Sequence, residues 1–250
     1  MKARYFLYGA EMLLGAVRFF IAIIWFVVCC SVGVILAFLR PFHPSHMRWS
    51  GRLFGLPLFK VFGMSLKIRG ENYLNERPCV FISNHQNNMD LIVMGAICPP
   101  RTVTLGKIEI LYIPLFGLVY WLFGNILIVR GNKQKSKKSM VKVTETIRNK
   151  DISVWIMPEG TRSRGRGLLP FKSGAFRTAI DAQVPIVPIC LNNYHHLIDP
   201  KKVKSGVVNC EVLPPIETKG LSMSDASDLA KRCHELMKNK IDQLDKESIQ

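Results

Sequence analysis

Acidic residues are scarce in this chain of 250 residues: 18 Asp and Glu stand against 34 Lys and Arg, which leaves a formal net charge of +16. An excess of this size favours anionic partners such as nucleic acid, anionic lipid or a phosphorylated substrate. The seven cysteines form no Cys-x-x-Cys pair and no cluster with His at metal-ligand spacing. A disulfide framework and a zinc site are therefore not expected, and the pattern is typical of a reduced, cytosol-facing protein.

Several catalytic and binding signatures are also missing. The chain has no G-x-S-x-G nucleophile elbow, no H-E-x-x-H zinc motif, no Walker loop and no G-x-G-x-x-G dinucleotide fingerprint. It carries no RNA-recognition aromatic signature and no recognisable helix-turn-helix, which argues against nucleic acid as the anionic partner.

Charge is absent from one long segment. Residues 19–39, FFIAIIWFVVCCSVGVILAFL, form an uncharged apolar run between Arg18 and Arg40, long enough as a helix to cross ~30 Å of hydrocarbon. A buried core helix is not favoured, because such a helix would keep a polar face. A cleaved signal peptide is not favoured either, because no small-residue cleavage site follows the run. A second apolar stretch at 53–64 is short, which fits an interfacial or re-entrant partner of the first helix. The basic residues that follow predict that the body of the protein lies in the cytoplasm.

From residue 66 onward, short apolar runs alternate with helical patterns. The runs predict strands that are covered on both faces of a sheet. They are residues 79–83, 103–105, 126–129, 152–157 and 185–191. Helices are predicted at 139–149, 174–182 and 225–246. The last helix is expected to dock through an apolar stripe, and the basic stretch 130–138 is expected to be a solvated loop. The stripe consists of Leu229, Cys233, Leu236, Ile241 and Leu244.

A His and an Asp follow the predicted strand at 79–83, in the sequence NHQNNMD (84–90). His85 and Asp90 are five residues apart, so on one straight helix they would point about 140° away from each other. They meet only if the chain turns between them, which the intervening amide side chains favour. If they meet, Asp90 holds one ring nitrogen protonated, and the other serves as a general base for an attacking hydroxyl. The alternative is a structural histidine at a strand end.

A second polar cluster, MPEGTRSRGRG (157–167), also follows a predicted strand. Gly160 permits a tight turn, and ligands of open α/β sheets bind at the carboxyl ends of strands. Arg162 suits phosphate because its planar fork donates two parallel hydrogen bonds. Glu159 is available to orient Arg162 or to bind a substrate hydroxyl. The alternative is a surface turn with solvated arginines.

Lys107 stands at the end of a third predicted strand and is a candidate second phosphate ligand, against the alternative of a solvated lysine. The predicted base has no Ser or Cys nucleophile motif beside it. Direct transfer to a bound acceptor is therefore favoured over a covalent enzyme intermediate.

Four ordered blocks resemble the PlsC-type 1-acylglycerol-3-phosphate acyltransferases (lysophosphatidic acid acyltransferases) of the glycerolipid acyltransferase family, bacterial members in particular. The first block, NHQNNMD, matches the family pattern N-H-x4-D. The others are GKIEILYIPLFG (106–117) with Arg130, PEGTRSRGRGLLPFKSGAF (158–176) and VPIVPI (184–189). The expected fold is α/β, a mixed, largely parallel sheet flanked by helices as in glycerol-3-phosphate acyltransferases. We expect a membrane-associated helical region at 1–64 and a catalytic domain at 65–250.

The resemblance implies a role for each matching residue. His85 acts as base on the free hydroxyl of lysophosphatidic acid, and Asp90 orients it. The hydroxyl attacks the thioester of acyl-CoA or acyl-acyl carrier protein and gives phosphatidic acid for phospholipid biosynthesis. The acceptor site consists of Glu159, Gly160 and Thr161, with Arg162 and Lys107 on the phosphate. No metal or other cofactor is implied, and the implied location is the bacterial inner membrane, with the catalytic domain in the cytoplasm.

The sequence leaves three alternatives open. The acceptor could be another lysophospholipid, glycerol 3-phosphate or an amino-acid lipid, because the motif chemistry is shared. A hydrolase would use the same base on water. A non-catalytic, membrane-tethered basic protein that binds anionic lipid or nucleic acid is the alternative of a different class.

Overall fold

The structure is a computed structural model that describes residues 2–129 and 133–248, with side chains from residue 8 to 129 and from 139 to 248. The strands are β1 (Met64–Arg69), β2 (Val80–Ser83), β3 (Thr102–Lys107), β4 (Ile126–Ile128), β5 (Ser153–Ile156), β6 (Ile186–Leu191) and β7 (Gly206–Val212). The α-helices are α1 (Lys2–Leu39), α2 (His46–Val61), α3 (Asp90–Ile97), α4 (Phe116–Leu122), α5 (Lys133–Lys150), α6 (Gly174–Ala182) and α7 (Ala226–Glu247). Short 3-10 helices cover Glu71–Asn75 and Ile108–Tyr112.

The strands of the described residues form one mixed sheet in the order β1-β7-β6-β2-β5-β3-β4. Five neighbouring strands, from β6 to β4, run parallel to one another. The strand β7 is antiparallel to β6, and β1 runs parallel to β7. This arrangement confirms the predicted α/β class with a largely parallel sheet.

All five predicted strands are present, but β1 and β7 were not predicted. Both of these strands alternate between buried and more exposed positions, as strands near a sheet edge do. A continuous apolar run marks only a strand that is covered on both faces, such as β2, whose four residues are all buried. The sheet is mixed because these two strands, β7 and its parallel neighbour β1, run antiparallel to the other five.

Helices cover both faces of the sheet. On one face α5, α6 and α7 pack against strand residues such as Val80 and Ile82. On the other face α2 and α3 pack against Phe81 and Trp155. Side chains alternate between the two faces along a strand, so consecutive apolar residues of β2 supply both cores.

The docking helix is present, but one residue of its predicted stripe is wrong. Leu229, Cys233, Ile241 and Leu244 are buried, whereas Leu236 is 44% exposed and Met237 is fully buried in its place. Position 237 lies four residues from both 233 and 241, which keeps it on the same face of a helix with 3.6 residues per turn.

The basic stretch 130–138 is not wholly a loop, because α5 begins at Lys133. Residues 130–132, including Arg130 of the second family block, lie outside the described residues, as do the side chains of 133–138. The backbone correction follows from composition: Lys and Gln are good helix formers, and a run of them extends the amphipathic helix toward its N-terminus.

The apolar run at 19–39 belongs to a longer helix. The helix α1 begins at Lys2, and within the described residues its Tyr8–Leu39 portion is the one segment long and apolar enough to cross a membrane. Arg18 therefore does not bound the helix but lies inside it. Its side chain is buried and donates hydrogen bonds to the carbonyls of Pro200, Lys202 and Val203 at 2.8, 2.6 and 3.0 Å. These bonds attach α1 to the connection between β6 and β7.

The second apolar stretch forms most of α2, which packs on α1, while Met64 already belongs to β1. Pro57 lies inside α2 and has no N–H for the carbonyl of Leu53, four residues earlier. The indole N–H of Trp25, on α1, donates to that carbonyl at 3.1 Å. The indole of Trp25 therefore supplies the donor that Pro57 lacks, and it joins α2 to α1.

Glycines bring α2 close to α3, the helix that begins at Asp90. A Cβ on Gly55 would lie 2.5 Å from the carbonyl oxygen of Ile92, and one on Gly95 would lie 2.6 Å from the carbonyl oxygen of Gly51. Any larger residue would push the helices apart. The helix α2 is thus packed directly on the helix that carries one of the predicted catalytic residues.

We predict that Trp25→Phe destabilises the protein by about 0.5–1.5 kcal/mol, because the Leu53 carbonyl loses the donor of a hydrogen bond at an exposed position. In a Pro57→Ala background the new backbone N–H at position 57 can donate to that carbonyl, so Trp25→Phe should cost less. The free energy of unfolding in detergent micelles for the four variants measures the coupling.

Trp49→Phe is the matched control, because Trp49 is 71% exposed. Equal costs of Trp25→Phe with and without Pro57 would contradict the assignment of the hydrogen bond.

Candidate active site

Two polar turns leave the same edge of the sheet. The strands β2 and β5 are parallel neighbours, with Ile82 paired to Ile156. Residues 84–89 lead from β2 into α3, and the turn that begins at Met157 follows β5. Because parallel strands end at a common edge, the predicted His–Asp loop and the predicted phosphate turn lie side by side.

The carboxylate of Asp90 holds the first turn together by accepting hydrogen bonds from its residues. Its side chain is almost fully buried, and Oδ2 accepts hydrogen bonds from Nδ1 of His85 and from the backbone N–H groups of Gln86 and Asn87, the latter two at 2.8 and 3.2 Å. The hydroxyl of Tyr194 donates to Oδ1. The predicted meeting of His85 and Asp90 is therefore present, through the predicted turn between strand and helix.

The contact with Asp90 fixes the orientation and the tautomer of His85. A carboxylate only accepts hydrogen bonds, so Nδ1 carries the proton and Nε2 keeps a lone pair. The side chain of His85 is 17% exposed, whereas that of Asp90 is 3% exposed. The imidazole therefore has a buried, held side and an accessible side.

Buried amide side chains attach the His85 loop to the end of β6. Asn84 forms a reciprocal pair with the backbone of Leu191, donating from Nδ2 at 2.9 Å and accepting at Oδ1 at 3.0 Å. Gln86 donates to the carbonyl of Asn192 at 2.7 Å and accepts from the N–H of His195 at 3.1 Å. The amides therefore do more than permit a local turn, because they bind the loop to a neighbouring strand.

Glu159 joins the two turns from the other side. Its carboxylate is almost fully buried and accepts from the backbone N–H groups of His85 at 2.6 Å and Leu169 at 3.1 Å, rather than pairing with Arg162. Burial raises the pKa of the Glu159 carboxyl from 4.5 to about 7, against the lowering effect of the two N–H donors. Two backbone bonds extend the connection, from the N–H of Ser163 to the carbonyl of His85 at 2.8 Å and from the N–H of Arg164 to that of Gln86 at 2.9 Å.

Gly160 has both a conformational and a steric reason for being glycine. Its φ is +69°, and a Cβ there would lie 2.7 Å from Nζ of Lys172. The backbone of Lys172 is held as well, since its N–H donates to the carbonyl of Pro158 at 2.9 Å. The turn therefore brings a lysine ammonium against residue 160, a cation that sequence reasoning did not single out.

The candidate phosphate ligands are exposed at this edge. Thr161 and Arg162 lie in the turn directly after Gly160, and both are open to solvent. Lys107 is the exposed last residue of β3, at the same edge but two strands from β2. Among the described residues no hydrogen bond or ion pair joins Lys107 to the His85 cluster, so the structure brings His85, Asp90 and Glu159 together and leaves Lys107 apart.

Tyr194 is the principal site residue that the sequence did not reveal. It is fully buried and contacts Asp90 from 104 positions further along the chain. The local sequence NNYHH after β6 offers only a weak signal, namely polar residues at the carboxyl end of a central strand.

Comparison with known proteins identifies the family of this chain. The family model described as Acyltransferase matches residues 65–192, which is more than half of the chain and contains both turns. The chain belongs to this acyltransferase family.

Curated relatives of this acyltransferase carry one activity name. Enzymes named 1-acyl-sn-glycerol-3-phosphate acyltransferase from Salmonella typhimurium and Escherichia coli are each 41% identical to it over 234 residues, covering 92% of this chain and 94% of theirs. The human enzyme named 1-acyl-sn-glycerol-3-phosphate acyltransferase alpha is 38% identical over 74% of this chain and 67% of its own.

A solved structure has the same fold as this acyltransferase. The crystal structure of the 1-acyl-sn-glycerophosphate (LPA) acyltransferase PlsC from Thermotoga maritima superposes with a TM-score of 0.76. The superposition covers 95% of this chain and 97% of that one, at 21% sequence identity.

We predict that Glu159 releases a proton as the pH rises through about 7. Its pKa is raised in the folded state, so the folded protein binds the proton more tightly than the unfolded chain. Its contribution to the free energy of unfolding therefore falls as the pH rises from about 4.5 to about 7. Infrared difference spectra should lose a protonated-carboxyl C=O band over the upper part of this range.

The band should be absent in Glu159→Gln. Asp245→Asn is a second control, because burial also raises the pKa of the Asp245 carboxyl. A carboxyl band that survives in Glu159→Gln and disappears in Asp245→Asn would overturn the assignment.

Proposed function

We propose that this acyltransferase moves a fatty acyl group from a thioester donor to the free hydroxyl of 1-acylglycerol 3-phosphate and so makes phosphatidic acid. The observation that carries the proposal is the contact between His85 and Asp90 at the open edge of the sheet. The activity name shared by relatives 41% identical over 92% of the chain supports the choice of acceptor.

In the proposed reaction His85 is the general base. Its Nε2 takes the proton from the acceptor hydroxyl as the oxygen attacks the thioester carbonyl carbon. The C–O bond forms, the C–S bond breaks, and the imidazolium returns its proton to the leaving thiolate, which departs as a free thiol. Asp90 holds the ring in the required tautomer and stabilises the imidazolium during transfer.

The acceptor's phosphate is assigned to Arg162 and Lys107. Both side chains are exposed at the edge from which His85 is reached, and a guanidinium matches the geometry of a phosphate group. Glu159, Gly160 and Thr161 shape the acceptor site, with Glu159 acting through the backbone of His85. A thioester is already an activated acyl group, so the proposed chemistry requires neither a metal ion nor another cofactor.

Acyl-CoA and acyl-acyl carrier protein are the proposed donors, and both are anionic, as is the acceptor. A net charge of +16 favours all three, together with the surface of an anionic bilayer. The proposed location is the bacterial inner membrane, with the catalytic domain on the cytoplasmic side. The apolar helix α1 and the lipid nature of the acceptor support it.

An acceptor panel tests the proposal. Membranes that contain the protein are incubated with labelled acyl-CoA or acyl-acyl carrier protein and with lysophosphatidic acid, other lysophospholipids, glycerol 3-phosphate or an amino-acid lipid. Lysophosphatidic acid should be the preferred acceptor. His85→Ala should lower kcat/KM by about 10²–10⁴-fold because general-base catalysis is lost.

His43→Ala, in the connection between α1 and α2, is the matched control and should retain activity. Preference for another acceptor would overturn the assigned substrate. Release of free fatty acid at the rate of transfer would indicate a hydrolase. Unchanged activity in His85→Ala would favour the non-catalytic alternative.

We predict that Tyr194→Phe lowers kcat about tenfold with little change in KM for either substrate. The hydroxyl is buried against Asp90, so its loss weakens the holding of His85 without removing a contact to substrate. Steady-state kinetics on both substrates provides the measurement.

Tyr73→Phe, a partly buried tyrosine in the first 3-10 helix, is the control. A rise in KM alone, or a kcat equal to that of the control, would contradict a role of Tyr194 through Asp90. A thermal melt of each variant separates loss of function from loss of fold.

A further inference from the structure

The segment of residues 108–122, IEILYIPLFGLVYWL, exposes an unusual number of apolar side chains. It contains the 3-10 helix Ile108–Tyr112 and α4, and Glu109 is its one charged residue. Six of its large apolar side chains are at least 40% exposed, and Tyr112 reaches 82%. They are Leu111, Tyr112, Ile113, Leu115, Leu118 and Trp121. Soluble surfaces rarely leave such a group of neighbours uncovered.

The exposure does not come from loose attachment. The hydroxyls of Tyr120 and Thr104 share a hydrogen bond at 2.7 Å. Gly106 permits this contact, because a Cβ there would lie 2.4 Å from the tyrosine oxygen. A Cβ on Gly117 would lie 2.5 Å from the carbonyl of Leu111, so the 3-10 helix and α4 are packed backbone to backbone. One side of the segment is therefore fixed to β3, and the apolar side is presented outward.

The backbone itself directs apolar residues outward. Leu115 has φ +61°, a region that side chains with a Cβ rarely adopt, yet the side chain it presents is 44% exposed. Phe42, in the connection after α1, has φ +58° and is 47% exposed. Its ring packs edge-to-face on Trp121 at 5.4 Å. Two unfavourable backbone conformations thus hold apolar side chains at one surface.

This surface continues onto α1. The rings of Phe26 on α1 and Phe116 on α4 are 5.4 Å apart, and Gly33 on α1 faces Val119 and Phe123. Exposed apolar residues of α1 flank this contact within one helical turn of Phe26, namely Ile23 and Val27. The medium that covers α1 therefore has to cover the outer side of residues 108–122 as well.

We propose that residues 108–122 insert into the lipid bilayer beside α1, as a second membrane contact. The two most exposed large apolar side chains of the segment, Tyr112 and Trp121, are of the types suited to the boundary between headgroups and acyl chains. Arg40 directly follows α1 and precedes Phe42 by two residues, and it is exposed, where it can meet lipid phosphates.

Insertion has a consequence for the sheet edge. The segment begins immediately after Lys107, at the carboxyl end of β3. Two contacts, α1 and the segment, then fix the orientation of the sheet edge relative to the membrane, whereas a single helix leaves rotation about its axis free. His85 opens at this edge and would face the layer from which a lipid acceptor arrives.

Spin labelling of the full-length protein tests insertion without relying on its activity. All seven native cysteines are buried, so a cysteine introduced by Tyr112→Cys or Leu118→Cys takes a nitroxide selectively. Leu236→Cys is the matched control, since Leu236 is equally exposed at 44% but lies on α7, on the opposite face of the sheet. Power-saturation spectra are recorded in vesicles of phosphatidylglycerol and phosphatidylethanolamine.

Labels at positions 112 and 118 should be accessible to oxygen and shielded from a polar nickel chelate, and the label at position 236 should show the reverse. Equal chelate access at all three positions would overturn the proposal. Dipolar broadening between labels, with shielding from both reagents, would indicate a second copy of the chain on the patch and would also overturn it. Neither result bears on whether His85 catalyses acyl transfer.

Discussion

A buried carboxylate is stable only when hydrogen-bond donors surround it, and the arrangement of the candidate site follows from the donors to Asp90. An unpaired charge in that position would be strongly destabilising. Three donors come from the turn after β2, and the fourth comes from Tyr194 after β6. The turn therefore has to fold back on the first residue of α3, and this same requirement presents Nε2 of His85 to the open side.

A second buried carboxylate lies at the same edge in a different environment. Glu159 has two backbone donors, whereas Asp90 has four donors including an imidazole. Burial, with a smaller contribution from the charge of Asp90, raises the pKa of Glu159 to about 7. The two acids thus differ in the number of their partners. Glu159 joins the turns after β2 and β5 through backbone amides, so it connects the catalytic and phosphate-binding loops of the proposed mechanism.

The apolar N-terminal helix is integrated into the fold by a few polar contacts. Arg18 binds three carbonyls of the loop between β6 and β7, and Trp25 supplies the donor that Pro57 removes from α2. In turn, α2 packs on α3 through glycines. A continuous series of contacts therefore leads from the helix that suits a membrane to the helix that begins at Asp90. An enzyme with a lipid acceptor requires such a connection, because its site must keep a fixed position relative to the bilayer.

Local sequence determined the five parallel strands from β2 to β6, helix α6 and the pairing of His85 with Asp90. In each case the decisive information lies within a few residues: a continuous apolar run, a helical period, or a turn between a strand and a helix. The strands β1 and β7 were not predicted, because their alternating pattern can be interpreted only once their neighbours are known. In α7 the sequence put Leu236 in the buried stripe, where packing selected Met237.

Tertiary structure alone decided which groups support the dyad. Tyr194 reaches Asp90 across 104 positions, and Glu159 binds the backbone of His85 from the neighbouring strand rather than its own neighbour Arg162. No local pattern encodes such pairs, because strand order, not chain order, determines which loops meet at a sheet edge. The sequence shows which polar residues are available, but their hydrogen-bond partners depend on the path of the chain through the sheet.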